Sequence, residues 1–574
     1  MRLRLPRPSL LTASLLLVFV TSLLLFAGIL GMYLFRKEDA LIIDRLLPNY
    51  FAYYQDLPVA PLILLFLLVA MLVRRPNRGW TIPEPPALLA AVAVLVLCYA
   101  GTWLVFRHFA LSRDEFMAEF DAQILRSGAL LVPLPEKWRG FGPALLSDFV
   151  LEARGAWASA YLPGNAALRA LFGLFGDSGF TGPALAALSV VLVHAIARRL
   201  IPEDRTPALV AMLLLATSTQ FLIAAMTPYA MTAHLAFNLL WLWLMLRERA
   251  GSTAIAGVVS FAACGLHQMA FHPLFALPFL PWLWFTGRRR AAVFLFLVLA
   301  GSALFWLFYW SIAPALTLHG PDAAAAAHPY LSPVDRIEAL VHASMRPLAA
   351  VITVHNYARL ISWQNPLTWV LAVAALLSIR RQPGIAWALA GSIVLTLAAM
   401  QLLMPIQSHG WGYRYLHGLL GNLVLLAALG WRRLMAGDET RQDRLRLLFG
   451  ASLALSLVLL LPIRAWQAHR WAEPYIEADH RLGRADADIV IIEDRGSWYA
   501  ADLVRNDPWL QQRPIRLLAR KLPLSRAAEL CRTSSVVVLG ATSPALAPLR
   551  RVFFRGERQE AARRRAALRS VGCG

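Results

Sequence analysis

The sequence predicts a polytopic α-helical membrane protein, and three observations carry that expectation. Hydrophobic residues make up 58% of 574 and charged residues only 16%, with a mean hydropathy of +0.56. A soluble domain cannot hide that much apolar surface. The apolar residues gather into stretches long enough for helices to cross a bilayer, and runs of arginine fall between alternate stretches. The net charge of +21 is almost entirely arginine, lysine standing only at Lys37, Lys137 and Lys521. Cations spaced between apolar spans fit topology rather than a nucleic-acid partner, and none is expected.

A crossing helix needs about 20 apolar residues, fewer when arginine and aromatic side chains flank it. That count predicts about 13 spans, near 9–35, 59–73, 87–106, 183–197, 206–225, 229–246, 252–270, 272–286, 291–310, 366–379, 384–403, 416–431 and 446–461. The first, from Leu10 to Phe35, is too long for a cleaved signal peptide and has no A-x-A exit, so it reads as a retained helix. "MRLRLPR", "RRPNR" at 74–78, and the arginines at 198–199, 247–249, 288–290, 380–381 and 431–446 all fall on one side. By the positive-inside rule that side, with the N-terminus, is cytoplasmic. The other side receives the loops 36–58, 107–182, 311–365 and 404–418, and everything after Pro462. The alanine run Ala323–Ala327 reads as a weakly helical part of the second large loop.

The chain divides on this reading into a transmembrane module, 1–461, and a small extracytoplasmic α/β domain, 462–574. In the latter "DADIVIIED", "PIRLLAR" and "SSVVVLG" read as strands, and "SWYAADLVRND" and "LSRAAELCR" as helices. No G-x-G-x-x-G follows a strand, so no nucleotide site is expected, and the domain reads as a structural or acceptor-positioning lid. Cys98 and Cys264 lie in apolar spans as packing residues. Cys531 and Cys573 could bridge in an oxidising compartment, and no C-x-x-C suggests a thiolate metal site.

One stretch concentrates carboxylates. "LSRDEFMAEFDAQILRSG" carries Asp114, Glu115, Glu119 and Asp121 just after a span. Ser112 with Glu115 makes a capping box, Asp114 suits the helix dipole, and Phe116, Met117, Phe120, Ile124 and Leu125 form one apolar face, so a solvated amphipathic helix explains much of it. Glu115 and Glu119 nevertheless repel at i,i+4, which calls for a nearby cation or a raised carboxyl pKa. A partly desolvated carboxylate is also what a general base needs. On the same side "GWGYRYLHG" sets Arg414 between Tyr413 and Tyr415, suited to a lipid phosphate or to interfacial anchoring. His267 and His272 in "HQMAFHP" lack the i,i+4 spacing of a helical metal pair. His234, with Asn238 one turn on, faces either a cavity or a helix neighbour.

The acidic pair after a span, the amphipathic helix ending in "RSG", "YLPGNAALRALFGLFG" and "GYRYL" together resemble the GT-C glycosyltransferases. The nearest branch is the bacterial aminoarabinose transferase and protein O-mannosyltransferase group, family 39-like, over residues 87–430. The resemblance implies a GT-C-like fold and a polyprenyl-phosphate-linked sugar donor, with transfer to a lipid, polysaccharide or protein acceptor. It implies a bacterial inner membrane enzyme, in contact with membrane lipids, whose active site faces the periplasm. Asp114 and Glu115 would be catalytic, Asp114 as general base. Arg414, Tyr413, Tyr415, Tyr161, His234, His267 and His272 would bind substrate. The chain departs from the group by two extra leading spans, and by Ala233 and His234 where the group often has an acid. No cofactor is assigned, and a divalent metal is left open. The alternative reading is a lipid or solute transporter with the same groups on a proton path.

Overall fold

The computed structural model describes residues 9–35, 50–73, 84–146, 149–153, 155–310, 312–313, 347–407, 409–437, 439–495, 500–549 and 559–573. The basic segments 1–7 and 74–78, most of the loop 311–365 with its Ala323–Ala327 run, and the start of "SWYAADLVRND" lie outside them.

Among the described residues, eight helices are long and apolar enough to cross a membrane: Leu10–Leu34, Ala52–Leu72, Ala87–Leu104, Ser178–Leu200, Arg289–Leu307, Ile385–Leu403, Arg414–Met435 and Glu439–Gly483. Two bent pairs raise the number to ten, Thr206–Ala216 with Thr219–Ala225 at 56° and Ala349–Ser362 with Pro366–Leu377 at 102°. Met231–Met245, Ala250–Cys264 and Phe271–Phe285 are apolar but shorter. All the expected apolar stretches fall on helices. Length and bending bring the crossings that stand on their own to eight, or ten with the bent pairs, against the expected thirteen.

The two bends have local causes. Ser218 starts a new helix by accepting from the Phe221 amide, and Asn365, ahead of Pro366, does the same for Leu367. Their freed polar groups satisfy one another. Gln220 N–H and Thr219 Oγ1 both donate to the Trp363 carbonyl, at 3.0 and 2.9 Å. Ser218 Oγ donates to Gln364 Oε1 at 2.8 Å, and Gln364 Nε2 to Gln220 Oε1 at 2.9 Å. Irregular backbone inside an apolar bundle is tolerated only where protein groups pair it in this way. Gln220 then reaches on to the Tyr413 carbonyl, 2.9 Å away, tying the bend to the segment that carries Arg414.

A buried acid ties its own helix to two others. Asp56 accepts from Trp363 Nε1 at 2.6 Å and Ser362 Oγ at 3.1 Å, with Arg464 at 3.0 Å and Arg359 at 3.4 Å. Arg464 belongs to the last long helix, which does not stop at residue 461. After a π-helical turn, Ser456–Leu460, it runs through Pro462 to Gly483. Pro462 directly follows the π-helical turn, an irregularity in the hydrogen-bond ladder at the point where proline has no N–H to give. The division drawn at 461/462 therefore falls inside a continuous helix.

Two small three-stranded sheets accompany the helices. β1 (Val132–Pro133), β2 (Val150–Ala153) and β3 (Ala156–Ser159) form an antiparallel sheet in the order β1-β3-β2. β4 (Ile489–Ile492), β5 (Ile515–Leu518) and β6 (Val536–Leu539) are parallel, with β4 central and Ile489 opposite both Ile515 and Val536. The continuous apolar run of β4 suits a strand buried on both faces, and β5 is buried along its length too, its Arg516 paired with Asp479. Helix Leu524–Thr533 precedes β6, and Cys531 is disulfide-bonded to Cys573, with Cα atoms 5.1 Å apart. The parallel sheet does not stand apart: Ile489, Ile515 and Leu517 share one hydrophobic cluster with Met117, Phe120, Trp138 and Trp157 of the 107–182 segment.

Candidate active site

Helix Arg113–Arg126 begins with the expected capping box, Ser112 accepting from the Glu115 amide and Glu115 reaching back to the cap. Its four acids have four separate partners. Asp114 turns to Arg414, whose Nη1 is 2.8 Å away, and accepts from the Tyr161 hydroxyl at 2.5 Å. Glu115 Oε2 accepts from the Leu111 and Ser112 amides, the latter at 3.1 Å. Glu119 pairs with Arg169 and accepts from Ser178 Oγ at 2.9 Å. Asp121 accepts from the Ser159 amide of β3 at 2.9 Å. The like-charge repulsion of this stretch is offset acid by acid.

Each partner of Asp114 is set in place by its own neighbours. The Arg414 amide donates to Gln407 Oε1 at 3.0 Å, and its guanidinium lies over the rings of Tyr229 and Tyr415, at 5.4 and 5.2 Å. Gly412 holds φ +66, and an added Cβ would come within 2.4 Å of Gln220 Oε1, so the tight turn before Arg414 needs glycine. Tyr161 packs against His267 with ring centroids 4.2 Å apart and planes tilted by 35°. That contact is fixed because Gly164 and Asn165 donate backbone bonds to Gly265 and Leu266, at 2.8 and 3.0 Å.

The electrostatics of adjacent residues diverge. Burial acts to raise the Asp114 carboxyl, but Arg414, His267 and the bond from Tyr161 outweigh it and hold it at about 2. Burial dominates at Glu115 against its two backbone bonds and pushes it up to about 8. Burial likewise brings His267 down to about 4, Asp114 opposing and Arg414 reinforcing. Asp114 is thus a carboxylate beside a guanidinium and a neutral imidazole, and Glu115 is a protonated cap at neutral pH.

The other sequence candidates are distributed unevenly. His234, with both ring nitrogens unpartnered, lines a narrow cavity with Asn238, Phe271, Thr396, Arg414 and Tyr415. Tyr413 contributes its carbonyl to Gln220 and packs its ring on Tyr415, which anchors Arg414 without meeting Asp114. His272 is a satisfied core histidine, donating to Asn238 Oδ1 at 2.8 Å and lying 3.1 Å from Ser260 Oγ. Among the described residues no three His, Cys, Asp or Glu side chains converge as a metal site. Tyr229 went unrecognised in the sequence, although "TPYAM" marks a span edge. Its hydroxyl sits 2.9 Å from Ser112 Oγ and donates to the His409 carbonyl at 3.1 Å.

No family model matches the chain, and no curated protein matches it. Among solved structures it is similar to the crystal structure of ArnT from Cupriavidus metallidurans bound to undecaprenyl phosphate, with TM-score 0.50 and 12% identity over 73% of this chain and 84% of that one. The apo state of the same protein aligns at TM-score 0.48 and 12% identity over 75% and 84%. The chain therefore has a GT-C-like, ArnT-like fold and is a multi-pass membrane protein.

Proposed function

We propose that this chain is a membrane glycosyltransferase that moves a sugar from a polyprenyl-phosphate-linked donor to an acceptor hydroxyl with inversion. One observation carries the reading: a carboxylate and a guanidinium 300 residues apart in sequence meet at 2.8 Å, ringed by Tyr161, His267, Tyr229 and Tyr415. The ArnT-like fold supports it, since the structure it resembles holds undecaprenyl phosphate. The disulfide supports a site on the extracytoplasmic side of a bacterial inner membrane, because such bonds persist in oxidising compartments.

In the ion pair, Arg414 is engaged by Asp114. A base held at about 2 accepts a proton poorly, but a donor phosphate is a rival anion for Arg414. When the phosphate takes the guanidinium, burial is left to act on Asp114 and its proton affinity rises. The acceptor oxygen then attacks the anomeric carbon as Asp114 takes its proton. The carbon–oxygen bond to phosphate breaks with its electron pair on the lipid phosphate, whose charge Arg414 offsets. His234, beside Arg414, is placed to contact the donor. Glu115 holds the helix start and takes no proton from the acceptor.

The test is release of free polyprenyl phosphate from labelled donor by the purified protein in detergent. Release dependent on acceptor and lost in Asp114→Asn supports transfer. Movement of intact lipid or solute without bond cleavage would replace this reading by the transporter one.

A further inference from the structure

Helix Arg414–Met435 starts at the candidate active site and ends, about 30 Å further along its axis, in Arg432 and Arg433. There a cavity of about 190 Å³ opens between its last turn, the first turn of Leu10–Leu34 and the start of Glu439–Gly483. A bound water needs about 10–15 Å³, so this space admits a polar group of several atoms. Arg433 and Arg441 line it with Leu10, Leu11, Leu434 and Leu445, and among the described residues no acid does. The helix end needs neither arginine as a cap, because Gln442 Nε2 donates to the Met435 and Gly437 carbonyls at 3.0 and 3.1 Å. Arg433 Nε is buried without a hydrogen-bond partner. Glu203 is paired with Arg432 at 3.0 Å and Asp443 with Arg446 at 2.9 Å, so the charge of both acids is already met. Apolar surface continues from the cavity: Leu17 and Leu24, one and two heptads beyond Leu10 on the same helix face, are 48% and 67% exposed.

We infer that this cavity binds the phosphate headgroup of an anionic phospholipid, on the side of the membrane that the arginine runs mark as cytoplasmic. Guanidinium N–H forks match phosphate oxygens two by two, and basic pockets between membrane helices on that side are where anionic headgroups collect. The leucines of the lining take the glycerol end of the lipid, and its acyl chains run along Leu17 and Leu24. A soluble phosphate would use the guanidiniums and gain nothing from that apolar wall. Every lining residue lies outside 87–430, the stretch over which the sequence resembles the GT-C enzymes. The site is thus built from the chain's own additions, and it stands whether or not the chain transfers sugar.

The experiment titrates the full chain in detergent with phosphatidylglycerol, phosphatidylcholine or inorganic phosphate and follows the tightest-bound species by native mass spectrometry. Phosphatidylglycerol is expected to bind about tenfold more tightly than phosphatidylcholine, and equimolar inorganic phosphate to displace none of it. Arg433→Gln and Arg441→Gln should each weaken phosphatidylglycerol about fivefold, the scale of one arginine beside anionic lipid. Ala436→Trp fills the cavity and keeps both charges, so it should weaken binding about as much as the two glutamines together. Parent-like affinity in the double glutamine variant would overturn the inference. Parent-like affinity in Ala436→Trp would do the same, since it would leave only a charged surface and no cavity site. Displacement by inorganic phosphate would assign the cavity to a soluble anion and overturn the lipid. Should a glutamine variant melt below the parent, Arg433→Lys and Ala436→Trp carry the comparison, the first expected to hold phosphatidylglycerol and the second to lose it.

Discussion

Asp114 and Glu115 share one helical turn, yet one faces Arg414 and the other folds back on the Leu111 and Ser112 amides. Asp114→Asn preserves shape and removes the acceptor of the proton, so turnover should fall about 100- to 10,000-fold with membrane insertion unchanged, measured as polyprenyl phosphate release. Glu115→Gln should leave turnover within severalfold and change the pH dependence of stability instead. The folded Glu115 pKa, about 8, stands above its ordinary 4.5, so the folded state binds the extra proton. Its contribution is full below about 4.5 and is lost as pH rises through about 8. A melting midpoint followed from pH 6 to 9 should fall less steeply in Glu115→Gln than in the parent. The capping box made the role of Glu115 legible in sequence, and the clustering of acids announced that a cation was needed. Which acid met which partner was not legible, because Arg414, Arg169 and Ser159 come from distant segments. His272 shows the opposite limit: its spacing said nothing of Asn238 and Ser260, whose bonds make it a core residue.

At the scale of elements, the site depends on irregular backbone held by close contacts. Gly164 approaches Gly265 so nearly that an added Cβ would sit 2.6 Å from its carbonyl oxygen, and backbone cannot give way as a flexible side chain can. Gly164→Ala is therefore expected to cost about 1–3 kcal/mol, as overpacking does. It should also part Tyr161 from Asp114, visible as a lower melting midpoint together with reduced turnover. Equal stability and activity in that variant would show that the 160s loop does not hold Tyr161. Hydrophobic runs made most helices readable, but the helix Pro347–Ser362 before Pro366 fell within the stretch read as a loop, so the bend between it and Pro366–Leu377 was not anticipated. The bend at Thr217–Ser218 was hidden because a Thr-Ser pair inside an apolar run is compatible with an unbroken helix. Its distinguishing feature is tertiary, the exchange of hydrogen bonds with Trp363 and Gln364. The last helix was cut short in the sequence reading for a related reason. Arg464 and Gln467 look like exposed polar residues, but both are buried, Arg464 against Asp56 and Gln467 donating to the Gln55 carbonyl at 3.0 Å.

For the whole molecule, the parallel sheet and the 107–182 segment form one core rather than a module and a lid. Ile489, Leu517 and Leu568 bury against the same cluster as Phe120 and Trp157, and Trp157 Nε1 donates to the Pro508 carbonyl at 2.8 Å. Alternating strands and helices after residue 484 made the sheet predictable from local pattern. The shared core was not, since contacts such as Trp157 to Pro508, 351 residues apart in sequence, leave no periodicity to read. A chain ending at residue 484 would expose that apolar face, and each large side chain left in water forfeits about 1.5–3 kcal/mol. The shortened chain is expected to aggregate on extraction, or to melt well below the parent, rather than behave as a transferase lacking an accessory domain. The complementary segment 484–574 is expected to show little amide protection alone. Size-exclusion profiles and melting curves of both pieces decide the matter. A monodisperse 1–484 chain with the parent's midpoint would mean that the bundle folds without its C-terminal partner and that the shared cluster contributes little to stability.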